Sequence, residues 1–145
     1  MTVTTTAEWP APAAVPSTVL RTRVDRDSEA FRRNAAANRA LLDEVEAALA
    51  QAVAGGGPDK LARHRERGKL TIRERIELLL DRDSPFLELS PLMAWGTEYD
   101  VGGSVVQGIG RVSGVECVIS GADPTVKGGS LNPYSLRKTL RGLEI

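Results

Sequence analysis

The chain has 145 residues, a length typical of one ordinary domain, and its 19 lysine and arginine residues balance 19 aspartate and glutamate residues. The resulting net charge of zero argues against a general nucleic-acid or membrane-surface binder, because both classes need an excess of basic residues. The single cysteine, Cys117, excludes an internal disulfide framework and fits a reducing, cytoplasmic location, and no run approaches the roughly 20 apolar residues of a membrane span.

The chain begins with a segment, residues 1–27, that is rich in threonine, alanine and proline and predicts a disordered arm. We expect the folded region to cover residues 28–145. Its first helix is predicted over residues 28–54, because apolar residues recur there at steps of three and four. Asp27 or Ser28 can cap the start of this helix, and a run of three glycines and a proline ends it.

Two shorter helices are predicted next. A charged helix covers residues 59–67, and Gly68 follows it in the position where glycine commonly ends a helix. Thr71 and Glu74 have the spacing of a capping box, in which two side chains bond backbone N–H groups at a helix start. The buried face of the helix that begins there is expected to hold Ile72, Ile76, Leu79 and Leu80.

Basic side chains are concentrated over these two helices. The cluster comprises Arg63, Arg65, Arg67, Lys69, Arg73 and Arg75. Clusters of this kind are usually solvated surfaces that acidic neighbours partly neutralise. The alternative is a phosphate-facing surface, because arginine suits bidentate phosphate contacts. His64, the only histidine, is expected at the surface among these charges, and no second histidine or cysteine is spaced to make a metal site with it.

Downstream of the third helix, the pattern becomes that of β-strands. A short strand is predicted at residues 86–89, and two longer β-rich runs follow at residues 105–112 and 115–120. Ser113 and Gly114 separate the two longer runs and form a two-residue hairpin signal.

The third predicted strand carries apolar residues on both faces. Cys117 lies on the same face as Val115 and Ile119, whereas Val118 lies on the opposite face among polar neighbours. We therefore expect this strand to be covered on both sides, with Cys117 as a buried core thiol rather than a nucleophile.

A lysine and two glycines stand between the last strand and the last helix. This segment, Lys127-Gly128-Gly129-Ser130, can approach a ligand closely through its glycine backbone. The last helix begins with Asn132 as its N-cap and Pro133 at its first position, and N–H groups at a helix start favour an anion. These residues indicate a phosphate or carboxylate site, and the alternative is a structural glycine turn beside a solvated lysine.

The last helix has an apolar stripe formed by Leu136, Leu140 and Leu143, and its basic residues lie off that stripe. The chain ends at Ile145 without a glycine or proline stop signal, and two or three short strands are too few to cover four helices. Both features predict a truncated chain in which the apolar stripe stays exposed.

Three parts of the sequence, in this order, resemble biotin-dependent acyl-CoA carboxylases. They are residues 68–75 with 84–89, residues 108–112 and residues 123–129, which read GKLTIRER, SPFLEL, GIGRV and DPTVKGG. The resemblance is to the start of the carboxyltransferase β-subunit of the methylcrotonyl-CoA or propionyl-CoA carboxylase type. It implies that residues 28–145 form the N-terminal part of the carboxyltransferase N-domain. The implied fold is α/β, with crotonase/ClpP-like ββα units stacked into a superhelix and preceded by helices.

The resemblance also implies the chemistry, which is transfer of a carboxyl group from carboxybiotin to the α-carbon, or the vinylogous carbon, of an acyl-CoA. An enolate must then be stabilised, and pairs of backbone N–H groups can do this. The resemblance places the glycine-rich segments that supply those pairs beyond the region covered here. No catalytic residue is therefore assigned, and the chain alone is expected to be inactive. Biotin would arrive on a partner, a biotin carboxylase or biotin carrier subunit, because the chain lacks a lysine-centred biotin motif.

The acyl-CoA contact is expected at Lys127, Gly128, Gly129 and Ser130, and no metal site is expected. The full-length subunit is expected to form homo-oligomers. The sequence Ser130-Leu131-Asn132 departs from the methylcrotonyl-type pattern, so the identity of the acyl group stays open. Two other functions also stay open: a non-catalytic or regulatory module that docks on carboxylase subunits, and a small CoA- or anion-binding domain.

Overall fold

A computed structural model describes residues 22–145. Its elements in chain order are α1 (Glu29–Ala54), α2 (Pro58–Glu66), α3 (Ile72–Leu79), β1 (Leu87–Glu88), β2 (Val105–Val112), β3 (Val115–Ala122), a 3-10 turn (Lys127–Gly129) and α4 (Pro133–Leu143). Most of the predicted arm lies outside the described residues, and residues 22–27 are exposed and form no helix or strand. None of the helices described is both long and apolar enough to cross a membrane.

The long helix α1 begins where the sequence predicts. Ser28 is its N-cap, and the Phe31 N–H donates to the Ser28 Oγ over 3.2 Å. Only Ala48 and Ala52 of this helix are buried. The apolar stripe of α1 is therefore in contact with the rest of the described chain only near its C-terminal end.

Helix α3 provides one wall of the core. The Thr71 and Glu74 capping box at its start is present as predicted, with both reciprocal hydrogen bonds formed. Ile72 and Ile76 are buried against Val106 of β2. The core also includes the partly buried residues Leu80, Phe86 and Ile119. Leu79, which was expected on the buried face, is instead exposed, because the face of α3 that meets the sheet is narrower than its apolar stripe.

The sheet is antiparallel with the strand order β1-β2-β3. Strands β2 and β3 pair from Val105–Ala122 at one end to Val112–Val115 at the other, which confirms the predicted hairpin. Ser113 and Gly114 have φ angles of 51° and 80°, the left-handed conformation that a tight two-residue hairpin needs at both positions. The N–H groups of this turn donate to the carboxylate of Asp81 over 2.6 and 2.7 Å, which fixes the turn.

Strand β3 is covered on one side only, so the expectation of two covered faces is wrong for the described residues. The face of Cys117 and Ile119 lies towards α3, and both residues are partly buried. Val118 lies on the other face and is 45% exposed. The reason is that α4 packs on β2 and does not extend across β3. Cys117 is accordingly half-buried rather than fully buried in the core.

Helix α4 packs on the sheet through its polar face. Ser135, Lys138 and Gly142 are buried, and Gly142 lies so close to Gln107 that a Cβ there would collide with the glutamine amide. The opposite, apolar side of the helix is exposed, as expected, and comprises Leu136, Leu140 and Leu143. The burial of Lys138, which is 1% exposed, is not predicted by the sequence pattern.

Candidate anion-binding site

Basic side chains of α2 lie opposite the lysine and glycine segment. Together they surround a cavity of about 210 Å³ lined by Lys60, Arg63, His64, Arg67, Pro124, Thr125, Lys127 and Gly128. A second cavity of about 500 Å³ is lined by His64, Gly68, Lys69, Leu70, Ile72, Arg75, Ala122 and Pro124. His64 and Pro124 border both cavities. We call the two cavities together the basic groove. None of the described residues that line it is an aspartate or glutamate.

The spacing of residues in α2 explains how one wall of the basic groove is built. Four basic residues that line the groove are spaced three, one and three positions apart: Lys60, Arg63, His64 and Arg67. Side chains separated by three, four and seven positions share one face of a helix. Helix α2 begins at Pro58, and none of its residues is buried. Lys60, Arg63 and His64 on this solvent-facing helix, and Arg67 directly after it, therefore line the groove opposite the turn that carries Lys127.

The structure divides the predicted basic cluster into two groups. Arg65 donates twice to Glu74, over 2.7 and 3.0 Å, and Arg73 donates to both carboxylate oxygens of Glu88, over 2.7 and 3.1 Å. These two arginines fit the solvated or acid-paired alternative. The remaining members line the basic groove: Arg63, Arg67, Lys69 and Arg75.

The paired arginine Arg65 also changes the acidity of its partner. Glu74 accepts from the backbone N–H of Thr71 and from the Arg65 guanidinium, and these bonds lower the pKa of the Glu74 carboxyl from 4.5 to about 2. Glu74 is therefore ionised at neutral pH. The link between α2 and the start of α3 is then present throughout the neutral range.

Lys127 has two contacts of its own. Its Nζ lies 3.6 Å from the Oδ2 of Asp100 and 5.6 Å from the centre of the Tyr99 ring. The side chain is 59% exposed. A phosphate at the groove would therefore compete with one solvated carboxylate, which is a weak competitor because exposed ion pairs contribute little.

Two parts of the predicted site lie away from the basic groove. Gly129 and Ser130 do not line the groove, and the carbonyl of Ser130 accepts instead from the Ser104 hydroxyl over 2.9 Å. The first N–H groups of α4 donate to the Asn132 side chain over 2.9 Å. These N–H groups are already satisfied, so the helix start adds no donors for an anion. The structure thus brings Lys127 and Gly128 to the groove.

Neither Lys60 nor His64 was predicted from the sequence to belong to a site of this kind. Their signal was available, since both lie on the face of α2 that also carries Arg63 and Arg67. Spacing alone does not separate a binding face from a solvated one, because a charged helix usually exposes its charges. The opposing Lys127 turn comes from a segment about 60 residues away in the chain. Among the described residues, no group of acidic, histidine or cysteine side chains is arranged to hold a metal ion.

The chain was compared with known proteins. The model of the carboxyl transferase domain family matches residues 63–145. A probable biotin-dependent acyl-coenzyme A carboxylase beta2 subunit of Mycobacterium tuberculosis is 55% identical over 127 residues, which cover 88% of this chain and 24% of that protein. The chain thus spans about a quarter of the length of the curated relatives it matches.

Solved structures give the same result for the fold. The beta subunit of Pseudomonas aeruginosa geranyl-CoA carboxylase aligns with a TM-score of 0.60 and 35% identity over 86% of this chain and 24% of its own. Transcarboxylase 12S, a hexamer crystallised with methylmalonyl-coenzyme A, aligns with a TM-score of 0.64 and 26% identity over 73% of this chain and 22% of its own. These likenesses confirm the α/β, crotonase-like fold, of which β2, β3 and α4 form one ββα unit.

Proposed function

Because the chain belongs to the carboxyl transferase domain family, we propose that it acts as the N-terminal part of an acyl-CoA carboxylase β-subunit. That subunit would move a carboxyl group from carboxybiotin to the α-carbon, or the vinylogous carbon, of an acyl-CoA. The observation that carries the proposal is the family match over residues 63–145, supported by the 55% identical acyl-coenzyme A carboxylase relative. The cytoplasmic location and the homo-oligomeric state stay predictions.

The proposed role of this segment is to bind the nucleotide end of the acyl-CoA. Coenzyme A carries several phosphate charges, and the basic groove offers lysine and arginine side chains without a lining carboxylate. Lys127 and Gly128 lie at the groove and are proposed to contact the acyl-CoA, whereas Gly129 and Ser130, the other two residues of the predicted segment, do not line it. Binding energy gained at the phosphates would position the thioester for reaction elsewhere in the subunit.

The carboxyl donor would bind elsewhere. Carboxybiotin carries one carboxylate on its bicyclic ring, whereas coenzyme A carries several phosphate charges, so the many cations of the basic groove match the acyl-CoA better. A biotin carboxylase or biotin carrier partner is therefore proposed to deliver it to another part of the subunit. None of the described residues is proposed to have a catalytic role in the transfer.

A docking module is the second candidate function. The apolar side of α4, with Leu136, Leu140 and Leu143, is exposed, and an exposed apolar patch of this kind commonly marks an interaction surface. The two candidates differ in whether the segment works inside a catalytic subunit or on its surface. Placing the segment inside such a subunit tests them directly.

The 145-residue chain alone is expected to show no carboxyl transfer, because the backbone pairs that stabilise an enolate are proposed to lie in other segments. A chimaeric subunit, in which this chain replaces its matching segment in the Mycobacterium tuberculosis relative, is expected to transfer carboxyl groups. Turnover is measured with carboxybiotin and a panel of acyl-CoAs. A soluble, folded chimaera without activity contradicts the proposal, as does turnover by the isolated chain that a substitution in the chain abolishes.

Substituting Lys127 with alanine is expected to weaken CoA binding by the chimaera about tenfold, since one charge-assisted contact is removed. The difference should shrink as salt rises, and it should be absent for pantetheine, which lacks the phosphates. Arg39→Ala is the matched control, because Arg39 is an exposed cation on α1 outside the basic groove. Equal CoA affinities for wild type and Lys127→Ala would mean that the segment is a structural glycine turn beside a solvated lysine.

A further inference from the structure

Helix α2 supplies one wall of the basic groove although none of its residues is buried. A short helix without a buried face is marginal in water, so its place opposite Lys127 must be fixed by other contacts. Two polar links connect it to more distant parts of the described chain, one at each end, and the His64 ring also bonds the nearby Leu70 carbonyl over 3.1 Å.

The first link lies at the turn between α1 and α2. The Gly56 N–H donates to the Thr125 Oγ1 over 3.0 Å. The Thr125 hydroxyl in turn donates to the Asp123 Oδ1 over 2.6 Å, and the Thr125 N–H donates to the same oxygen over 2.9 Å. Thr125 and Asp123 are both buried. The hydroxyl of Thr125 therefore accepts one hydrogen bond and donates another, with no water needed to complete either.

The approach of the two backbones at this link is unusually close. A Cβ at Gly56 would collide with the carbonyl of Thr125. Only glycine leaves room for the turn to lie directly on residue 125. The start of α2 is thereby held against the same turn that carries Lys127 two residues later.

The second link lies at the other end of α2, where Arg65 donates to Glu74. Its side chains are 57% and 32% exposed, and exposed ion pairs contribute little to stability. The buried link costs more to break, because a buried donor or acceptor left without a partner loses its bond to water as well. Thr125 is therefore the stronger of the two anchors.

We infer that Thr125, held by Asp123, is a positioning residue that fixes α2 across from Lys127 and so sets the width of the basic groove. The inference rests on the proposed acyl-CoA function, because the groove matters only if phosphates bind there. Thr125 itself need not touch the ligand. Its hydroxyl acts through the backbone of Gly56, and this makes it a determinant of where Lys60, Arg63 and Arg67 lie.

The positioning role is tested first without any ligand, in the 145-residue chain. Thr125→Val keeps the shape of the side chain but removes both hydrogen bonds of the hydroxyl, whereas Thr125→Ser keeps them. Helix α2 contains lysine and arginine residues at which trypsin cleaves once the helix opens. We expect Thr125→Val to be cleaved within α2 about tenfold faster than wild type, and Thr125→Ser to be cleaved at the wild-type rate.

Thr139→Val is the matched control. Thr139 donates to the carbonyl of Ser135 within α4, so the same substitution removes a hydroxyl hydrogen bond away from α2. Cleavage within α2 should be unchanged in this variant. Amide hydrogen exchange at Gly56 in the unaltered chain gives a second test that does not depend on a variant folding. Slow exchange is expected, and exchange at the rate of an unstructured amide would overturn the inference.

The second readout is substrate affinity in the chimaera. Thr125→Val is expected to raise the KM for acyl-CoA several-fold with little change in kcat, to reduce the dependence of KM on salt, and to leave the KM for an acyl-pantetheine unchanged. Thr125→Ser should restore the wild-type values. A merely destabilising substitution would lower the active fraction, and so the apparent kcat, for both substrates alike.

Different outcomes would contradict the positioning role of Thr125 and the proposed acyl-CoA function. Wild-type cleavage and an unchanged KM in Thr125→Val, together with weakened CoA binding in Lys127→Ala, would overturn the positioning role and leave the acyl-CoA function standing. Unchanged CoA binding in both Lys127→Ala and Arg63→Ala would overturn the acyl-CoA function of the basic groove, and the positioning role with it, whatever the cleavage rates.

Discussion

Replacing Glu88 with alanine is expected to lower the free energy of unfolding by about 3–5 kcal/mol, because it leaves two cations without their shared counter-charge in a poorly solvated site. Glu88 accepts from Arg73 over 2.7 and 3.1 Å, and the Nζ of Lys138 lies 3.9 Å from it. The exposed fractions of the Arg73, Glu88 and Lys138 side chains are 30%, 18% and 1%. Water can therefore replace the lost carboxylate only in part.

The position of Glu88 explains why replacing it would weaken contacts between several elements of the fold. Glu88 lies in β1, Arg73 in α3 and Lys138 in α4. Arg73 also donates to the carbonyl of Ala52 in α1 over 3.5 Å, and Lys138 donates to the carbonyl of Gly102 over 3.3 Å. The Glu88 carboxylate thus connects β1 directly to α3 and α4, and through Arg73 it is also connected to α1.

The measurement is urea unfolding of the 145-residue chain at pH 7, with Glu144→Ala as the control. Glu144 lies 3.5 Å from Arg141, and both side chains are more than half exposed, at 67% and 60%. Removing this exposed pair should change the free energy of unfolding by roughly 0.5 kcal/mol or less. If Glu88→Ala cost no more than Glu144→Ala, the Glu88 cluster would be a solvated surface network.

The local features of the fold were predictable from the sequence, because their causes lie within a few residues. The Ser28 cap, the Thr71 and Glu74 capping box and the Ser113-Gly114 hairpin each depend on neighbouring backbone groups. The lysine and glycine segment was found for the same reason. These features do not depend on how the helices and strands pack together, so short sequence patterns are enough to predict them.

The packing of α4 on the sheet was not predictable in this way. The exposure of its apolar stripe was expected, but the sequence pattern does not predict that the polar side, with Ser135, Lys138 and Gly142, is buried against the sheet. That side fits because Glu88, 50 residues earlier, supplies a charge for Lys138 and because Gly142 allows close approach to Gln107. Both causes are contacts between distant segments, which no local pattern contains. The basic groove was only partly predicted for the same reason, because it forms between α2 and the distant turn that carries Lys127.

The burial of Lys138 has a consequence for stability that depends on pH. The pKa of Lys138 is lowered from 10.5 to about 8: burial is the largest cause, Glu88 opposes it in part, and Arg73 adds to the lowering. Below pH 8 both the folded and the unfolded chain carry the proton, so the folded state bears the full cost of the buried charge. Between pH 8 and 10.5 the folded chain releases the proton while the unfolded chain keeps it. Stability from this group therefore rises with pH across that window, by about 3 kcal/mol in total.

Replacing Lys138 with methionine is accordingly expected to raise the free energy of unfolding at pH 7 by about 1–3 kcal/mol. The gain is smaller than the full cost of the charge because the carbonyl of Gly102 loses a donor. Glu88 keeps its two bonds from Arg73, so no carboxylate is left unpaired. At pH 10 the wild-type amine is largely neutral in the folded state, and the difference between variant and wild type should fall towards zero.

Urea unfolding of both chains at pH 7 and pH 10 measures this change, and Lys69→Met, at an exposed lysine, controls for the loss of a positive charge. A variant that is less stable than wild type at pH 7 would mean that the attraction of Glu88 outweighs the cost of burial. The double variant Glu88→Ala with Lys138→Met distinguishes the two accounts. If burial dominates, removing Lys138 recovers part of the stability lost with Glu88, because only Arg73, the more solvated of the two cations, then lacks a counter-charge.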